Sequence, residues 1–240
     1  MIKTVMREAN LTQRAQSQLE ELIVNGSLLV GERLPSEREL IEQLGVSKTV
    51  VREAMRSLAT RGLIEIRPGS GMYVVGVGAH LMAEPISLLM RKHRLTVKQI
   101  HEVREALEIR IVALAAERAQ KEDIEAMAES IRQLEEPRLT PLRYAQLDVE
   151  FHTRLAAAAG NPLFSFLINS INDVMLEVRK RAFNLGKRNF VAHSIGEHSK
   201  VLKCVEAGDV RGAQKAMAEH LELGSARLMD AEKLLREART

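Results

Sequence analysis

Apolar residues fall at helical spacing along most of the chain, and the pattern switches to alternation once. Leu11, Ala15, Leu19, Leu22 and Ile23 mark one face of a first helix, which Asn25-Gly26 stops. From Leu34 to Gly69 the signals crowd together. Ser36 and Glu39 form an S-x-x-E capping box that opens a second helix, with Leu40, Ile41 and Leu44 on its apolar side. Gly45-Val46 ends that helix. Ser47 caps a third, with Val50, Val51, Ala54, Met55 and Leu58 at helical spacing. After Gly62, Leu63-Ile64-Glu65-Ile66 alternates as a strand, Arg67-Pro68-Gly69-Ser70-Gly71 turns, and Met72-Tyr73-Val74-Val75 returns. Helix, glycine turn, helix and hairpin predict a winged helix-turn-helix over residues 1–76, with residues 11–23 as its support helix.

Gly76-Val77-Gly78-Ala79-His80 shifts the composition, and a linker is placed at 77–83. Beyond it the periodicity is helical throughout, with a domain boundary at 84–235. A short helix covers Glu84 to Met90. Thr96 and Gln99 cap a long one to about Arg118, with the stripe Ile100, Val103, Leu107, Ile111 and Leu114. Lys121 to Leu134 follows, then Leu142 to Ala159. Asn161 caps and Pro162 starts another helix to about Arg181, which Gly186 is expected to break. Phe190 to Ala207 and Asp209 to about Leu235 complete a bundle of about seven helices. The fold class is therefore mainly α, a winged helix-turn-helix followed by an all-α bundle.

Composition adjusts this picture only slightly. Apolar content of 45 % supplies real cores, and a net charge of +3 means that basicity must be local to matter. It is local at the third helix. From Ser47 to Arg67 five cations (Lys48, Arg52, Arg56, Arg61, Arg67) stand against two acids (Glu53, Glu65). Cys204 is the single cysteine, which rules out an intrachain disulfide and fits a reducing cytoplasm; beside Val201 and Val205 it reads as a small core residue. No apolar run reaches the roughly 18 residues of a membrane span, and MIKTVMREANLTQ has no signal-peptide core. A cytoplasmic protein with no membrane partner is expected.

Three groups of residues carry chemistry. Ser47, Lys48, Thr49 and Arg52 occupy the first turns of the third helix, on the side the valines leave free. Lysine and arginine read guanine edges, and serine and threonine reach bases or phosphates, so this end suits the DNA major groove. The second group lies inside the apolar stripes of the bundle. Asp148 and His152 are four residues apart on the Tyr144, Leu147, Phe151, Leu155 stripe. His198 and His220 each stand eleven residues from Asp209, the turn between the last two helices, so an antiparallel hairpin brings them to one level. Three imidazoles and a carboxylate pointing inward suit a borderline divalent ion, zinc first, with nickel or manganese also compatible. The competing reading makes them hydrogen-bonded core residues, with Asp148 and His152 paired to each other. The third group is Arg104, four residues before Glu108 and beside the apolar stripe. It reads either as a helical salt bridge or as a guanidinium aimed at a carboxylate ligand. The cations Arg179, Lys180, Arg181, Lys187 and Arg188 read first as a solvated helix end, with a second anion contact from Arg179 as the alternative.

The stretch LPSEREL…GVSKTVVREAMRSLATRGLIEIRPGSGMYV resembles the winged helix-turn-helix of the GntR family of bacterial transcription regulators. The resemblance implies a homodimer on a palindromic operator, with Arg38, Lys48, Thr49 and Arg52 contacting DNA and Gly69 at a wing tip in the minor groove. Lys48 stands where the family usually has arginine, and lysine lacks the bidentate fork. EVREALEIRIVALAA, DVEFHTRLAAAAGNPLF and GEHSKVLKCVEAGDVRGAQKAMAEHL are similar to the all-helical FCD-type ligand domain of the FadR-like branch, over roughly residues 84 to 235. In its metal-binding members the ligands fall on D-x-x-x-H and two later histidines, here Asp148, His152, His198 and His220. There the arginine of E-x-R-x-x-x-E, here Arg104, commonly reaches the effector.

The expectation is a non-enzymatic, ligand-responsive DNA-binding regulator in which a metal-assisted small carboxylate or hydroxy acid modulates operator affinity. Two alternatives stay open. One is a metalloenzyme using the Asp/three-His site to activate water, although no acid or base beyond the four ligands stands out. The other is a regulator responding to acyl-CoA without metal, as the branch's namesake does.

Overall fold

The computed structural model describes residues 6–75 and 80–237, with side chains at 181, 182 and 184–190 among those outside the description. The side chains of Arg181, Lys187 and Arg188 in the basic stretch, and residues 77–79 of the linker, therefore lie outside the described residues. The chain divides into two compact units, Met1–Leu81 and Met82–Thr240.

The first unit contains α1 (Met6–Val24), α2 (Glu37–Leu44), α3 (Lys48–Thr60), β1 (Ile64–Arg67) and β2 (Gly71–Val74). Its helix ends are set by side-chain chemistry. Ser36 Oγ accepts from Glu39 N at 3.3 Å while Glu39 Oε2 accepts from Ser36 N at 2.7 Å, so two orphan donors are satisfied reciprocally. Gly45 takes φ 63°, a left-handed conformation that only glycine adopts without a Cβ penalty. The turn to α3 is thereby fixed, and Ser47 Oγ accepts from Val50 N at 3.3 Å. Leu19, Leu34, Leu40, Val51, Met55, Leu58, Leu63, Met72 and Val74 form one core, which orients α3. β1 and β2 pair antiparallel from Ile64↔Val74 to Arg67↔Gly71. The segment before α2 completes the wing, because Leu34 N donates to Met72 O at 2.8 Å and Val74 N to Glu32 O at 2.9 Å. That third rung carries no alternating pattern in the sequence.

The second unit contains α4 (His80–His93) from Met82 onward, then α5 (Val97–Arg118), α6 (Lys121–Gln133), α7 (Pro141–Ala158), α8 (Pro162–Glu206) and α9 (Val210–Glu237). Six helices are described where about seven were expected, because Gly186 does not break the chain: α8 runs continuously through it for 45 residues. Glycine inside a helix costs only about 1 kcal/mol relative to alanine, too little to end a helix flanked by good helix formers. α7, α8 and α9 surround α5 with Ile111, Phe151, Leu155, Val201, Val205, Met217 and Leu221 in one core. Among the described residues no helix is long and apolar enough to cross a membrane.

Candidate functional site

The first site is the exposed start of α3 with the wing beside it. Lys48, Thr49 and Arg52 are exposed while Val50, Val51 and Ala54 are buried, the division expected of a helix that reads a groove. Ser47 is committed to capping. Arg52 Nε contacts Glu37 Oε1 at 3.1 Å, and Arg38 Nε contacts Glu42 Oε1 at 3.2 Å. Both pairs are exposed, where such contacts stabilise by at most about 1 kcal/mol and exchange readily for phosphate. Gly69 sits at the wing tip with φ 72° and open space around it. A cleft of about 460 Å³ separates the wing tip from α3. Arg33, Arg52, Arg56 and Arg67 line it, so it is a predominantly basic slot. Arg33 lies on the rung that the sequence pattern does not predict, and no local signal in the chain marks it.

The second site lies inside the bundle. α5 contributes His101, Arg104 and Glu108; α7 contributes Asp148 and His152; α8 contributes Arg179, Glu197 and His198; α9 contributes His220 and Arg227. The α8–α9 turn sets the register. Gly208 takes φ 66°, and Asp209 Oδ1 accepts from Gly212 N at 2.9 Å. His198 and His220, equidistant from that turn, meet with ring centroids 4.7 Å apart. His152 joins them, and one ring nitrogen from each of the three lies within 4.8 Å of the others. Asp148 stands at the edge of this cluster. Its Oδ2 holds Arg179 Nε at 2.6 Å, and its Oδ1 is 3.6 Å from His198 Nε2.

Carboxylates set the orientation of two rings. Glu108 Oε2 lies in direct contact with His152 Nδ1, and Glu197 Oε2 is 2.9 Å from His220 Nδ1. Each carboxylate demands a proton on the facing nitrogen. Both Nε2 atoms then carry lone pairs that face each other at 3.3 Å, with Arg104 Nη2 also 3.3 Å from the one on His152. His198 stacks on Phe151 at 4.1 Å between centroids, and neither of its nitrogens has a hydrogen-bond partner among the described residues. Facing lone pairs repel, and a buried unpaired imidazole costs free energy, unless a cation completes the set. Imidazoles held by carboxylates on their far side are the usual arrangement around a bound metal. The residues present therefore fit a divalent ion on His152, His198 and His220.

Burial keeps the His152 and His198 rings neutral, as ligands must be. It drives His152 down to about 4 despite Glu108, and His198 well below its ordinary value. For Glu197, burial pushes the carboxyl up, but hydrogen bonds from His220 and Arg227 outweigh it and hold the group at about 2. Burial likewise opposes ionisation of Glu108 and Asp148, and the facing Arg104 and Arg179 overcome it, so both stay well below the usual carboxylate range.

Arg104 is 2 % exposed, with Nε 2.8 Å and Nη2 2.7 Å from Glu108 Oε1, so the helical salt bridge exists and is buried. Nη2 also approaches His152 Nε2 at 3.3 Å. Arg104, Asp148, Arg179 and His220 line one small cavity of about 30 Å³. Arg179, read from the sequence as part of a solvated end, is buried instead. Glu197 and Arg227 were also missed. Arg227 donates to Glu197 at 2.8 and 2.7 Å across the α8–α9 hairpin, a pairing that no local spacing reveals.

Comparisons with known proteins agree with this division. Residues 11–74 match the bacterial regulatory proteins of the gntR family, and residues 99–223 match the FCD domain. The chain is 33 % identical over 205 residues to the transcriptional regulator LutR of Bacillus subtilis, covering 83 % of this chain and 93 % of that protein. It is 30 % identical over 239 residues to the Uxu operon transcriptional regulator of Escherichia coli, covering 94 % and 91 %. Among solved structures, Streptococcus agalactiae GntR superposes with a TM-score of 0.71 at 30 % identity, covering 90 % of this chain and 98 % of that one. These relatives are regulators, which removes the metalloenzyme alternative. The chain belongs to the GntR family, in the FadR-like branch with an FCD domain, and is a ligand-responsive DNA-binding transcription regulator.

Proposed function

We propose that the bundle senses a small carboxylate or hydroxy acid with the help of a divalent metal, and that binding changes operator affinity. The observation that carries this reading is the pair of carboxylate-held imidazoles whose Nε2 atoms face each other at 3.3 Å, with His198 beside them lacking a hydrogen-bond partner among the described residues. His152, His198 and His220 would hold the ion, with Asp148 adjacent, and zinc suits such a donor set. When bound, the ion supplies a Lewis-acidic position for a carboxylate oxygen. Arg104 binds the carboxylate from the α5 side: Glu108 occupies part of its guanidinium, which carries five N–H donors in all. The cavity of about 30 Å³ has no room for an acyl chain.

Regulation needs two reading heads. We infer a homodimer formed through residues 84–235, with two domains spanning 1–76 that place Lys48, Thr49 and Arg52 in successive major grooves of a palindromic operator. Arg38 and Ser47 lie beside the phosphates and Gly69 at the minor groove. Such a protein works where the chromosome is, in the cytoplasm. Effector binding at the α5, α7, α8 and α9 junction shifts these helices and with them the spacing of the heads. A coupling of about 1–3 kcal/mol gives a 5- to 150-fold change in affinity.

Elemental analysis of the purified full-length protein tests the metal. One divalent ion per chain is expected, falling to a small fraction in His198→Ala with helical content unchanged. A metal-free wild type that cannot be reconstituted with zinc, nickel or manganese would contradict the proposal.

A further inference from the structure

The third rung of the wing carries a cation with no role so far. Residues 31–34 run along β2: Gly31 N donates to Val74 O at 2.8 Å, Leu34 N donates to Met72 O at 2.8 Å, and Arg33 bridges Tyr73. Side chains alternate along an extended segment, so burying Leu34 turns Arg33 outward. Arg33 is exposed and lines the cleft between the wing tip and α3. Its guanidinium lies across Gly71. A Cβ there would stand 2.7 Å from Arg33 Nε, so glycine keeps this seat open.

The pairing of the cleft's charges singles Arg33 out. Glu37 is the one acid among the described lining residues, and it holds Arg52 at 3.1 Å. Glu53 holds Arg56 at 2.9 Å, and Glu65 holds Arg67 at 2.8 Å, with the Arg67 guanidinium 4.5 Å from the Tyr73 ring centroid. Arg33 has no ion pair within 4.0 Å among the described residues. Glu39, the acid its charge reaches, is taken up by the Ser36 capping box. A seated, exposed guanidinium without a counter-ion, in a basic slot, is open to an anion.

Docking geometry identifies that anion. In the arrangement proposed above, the start of α3 lies in a major groove and Gly69 in the adjacent minor groove. Adjacent grooves of a duplex are divided by the sugar-phosphate backbone of one strand, which must then pass between α3 and the wing. We infer that Arg33 holds a phosphate of that dividing strand, contributing affinity without sequence preference. The inference rests on the docking reading and adds a residue to it, with Gly71 and the third rung as the elements that position the guanidinium.

Fluorescence anisotropy of the full-length protein across a range of salt concentrations tests it. Two probes are used: a duplex selected by the wild-type protein from a randomised pool, and a random-sequence duplex of the same length. Each lost phosphate contact reduces the slope of log affinity against log salt by about 0.9. A dimer of Arg33→Ala should therefore lose about 1.8 of slope and bind both duplexes at least about fivefold more weakly near physiological salt, with unchanged melting. Arg33→Lys keeps the charge and should keep most of the slope. A loss confined to the selected duplex would make Arg33 a base reader, and a loss with the wild-type slope would make it a support of the wing; either overturns the inference, as does no loss at all. Arg52→Ala, measured beside them, separates the two readings. If it weakens binding to the selected duplex while Arg33→Ala does not, the docking stands and this inference fails. If Arg52→Ala binds as wild type does while Arg33→Ala loses slope on both probes, the docking fails and the phosphate contact stands.

Discussion

Burial holds His152 and His198 neutral, and this has a consequence for acid stability. His152 has its folded value near 4 against 6.5 when unfolded, so between those values the unfolded chain binds the extra proton. Stability is then complete above pH 6.5 and falls as pH drops toward 4, by roughly 3 kcal/mol from this residue. The lowered carboxylates Glu108, Asp148 and Glu197 act in the same direction but only below their unfolded values near 4. Urea unfolding of metal-free protein should therefore weaken from pH 6.5 downward; a midpoint constant to pH 5 would mean the rings are solvated. Arg104 faces a similar constraint. Arg104→Ala leaves Glu108 buried without its cation, at a cost of about 3–5 kcal/mol, and thermal melting should show it. The histidines were legible in the sequence because D-x-x-x-H and equal distances from a turn are spacing signals. Glu197 was not, since it adjoins His198 in sequence and yet serves His220 across the hairpin. Arg179 was hidden by its charged neighbours in the chain.

The elements were legible where a local device sets them. Ser36, Ser47, Thr96 and Asn161 all cap as their sequences imply. Gly45 and Gly208 take the left-handed conformation that ends a helix, and Gly26 does so just past the end of α1. Gly186 carried the same residue type without the same consequence, because glycine permits a turn and does not impose one. Gly196 is a second glycine inside α8, and nothing lies within 4 Å of the point where an added methyl group would stand. Gly196→Ala should raise stability by about 0.5–1 kcal/mol through helix propensity. A calorimetric midpoint that rises by a degree or more agrees with this, and a fall would show that the position is packed in the assembled protein. The short rung at residues 31–34 was not legible, since its strand character comes only from pairing with β2.

At the scale of the molecule, a reading head and a sensing bundle make a regulator only if they are coupled. Sedimentation of a fragment spanning residues 84–235 should show a dimer at micromolar concentration, and a monomer would place the dimer contact elsewhere. Arg52→Ala should weaken operator binding by about 1–3 kcal/mol with a smaller loss on random DNA, because a base contact specifies where a phosphate contact only holds. The measurement that reaches the central claim is operator affinity, by fluorescence anisotropy, with and without a saturating small carboxylic acid, in wild type and His220→Ala side by side. The account predicts that wild type changes its affinity at least fivefold on adding acid. It predicts that His220→Ala binds the operator normally, has lost most of its metal and no longer responds. A His220→Ala protein that keeps full metal content and a normal response would return the histidines to the role of core residues and contradict the account.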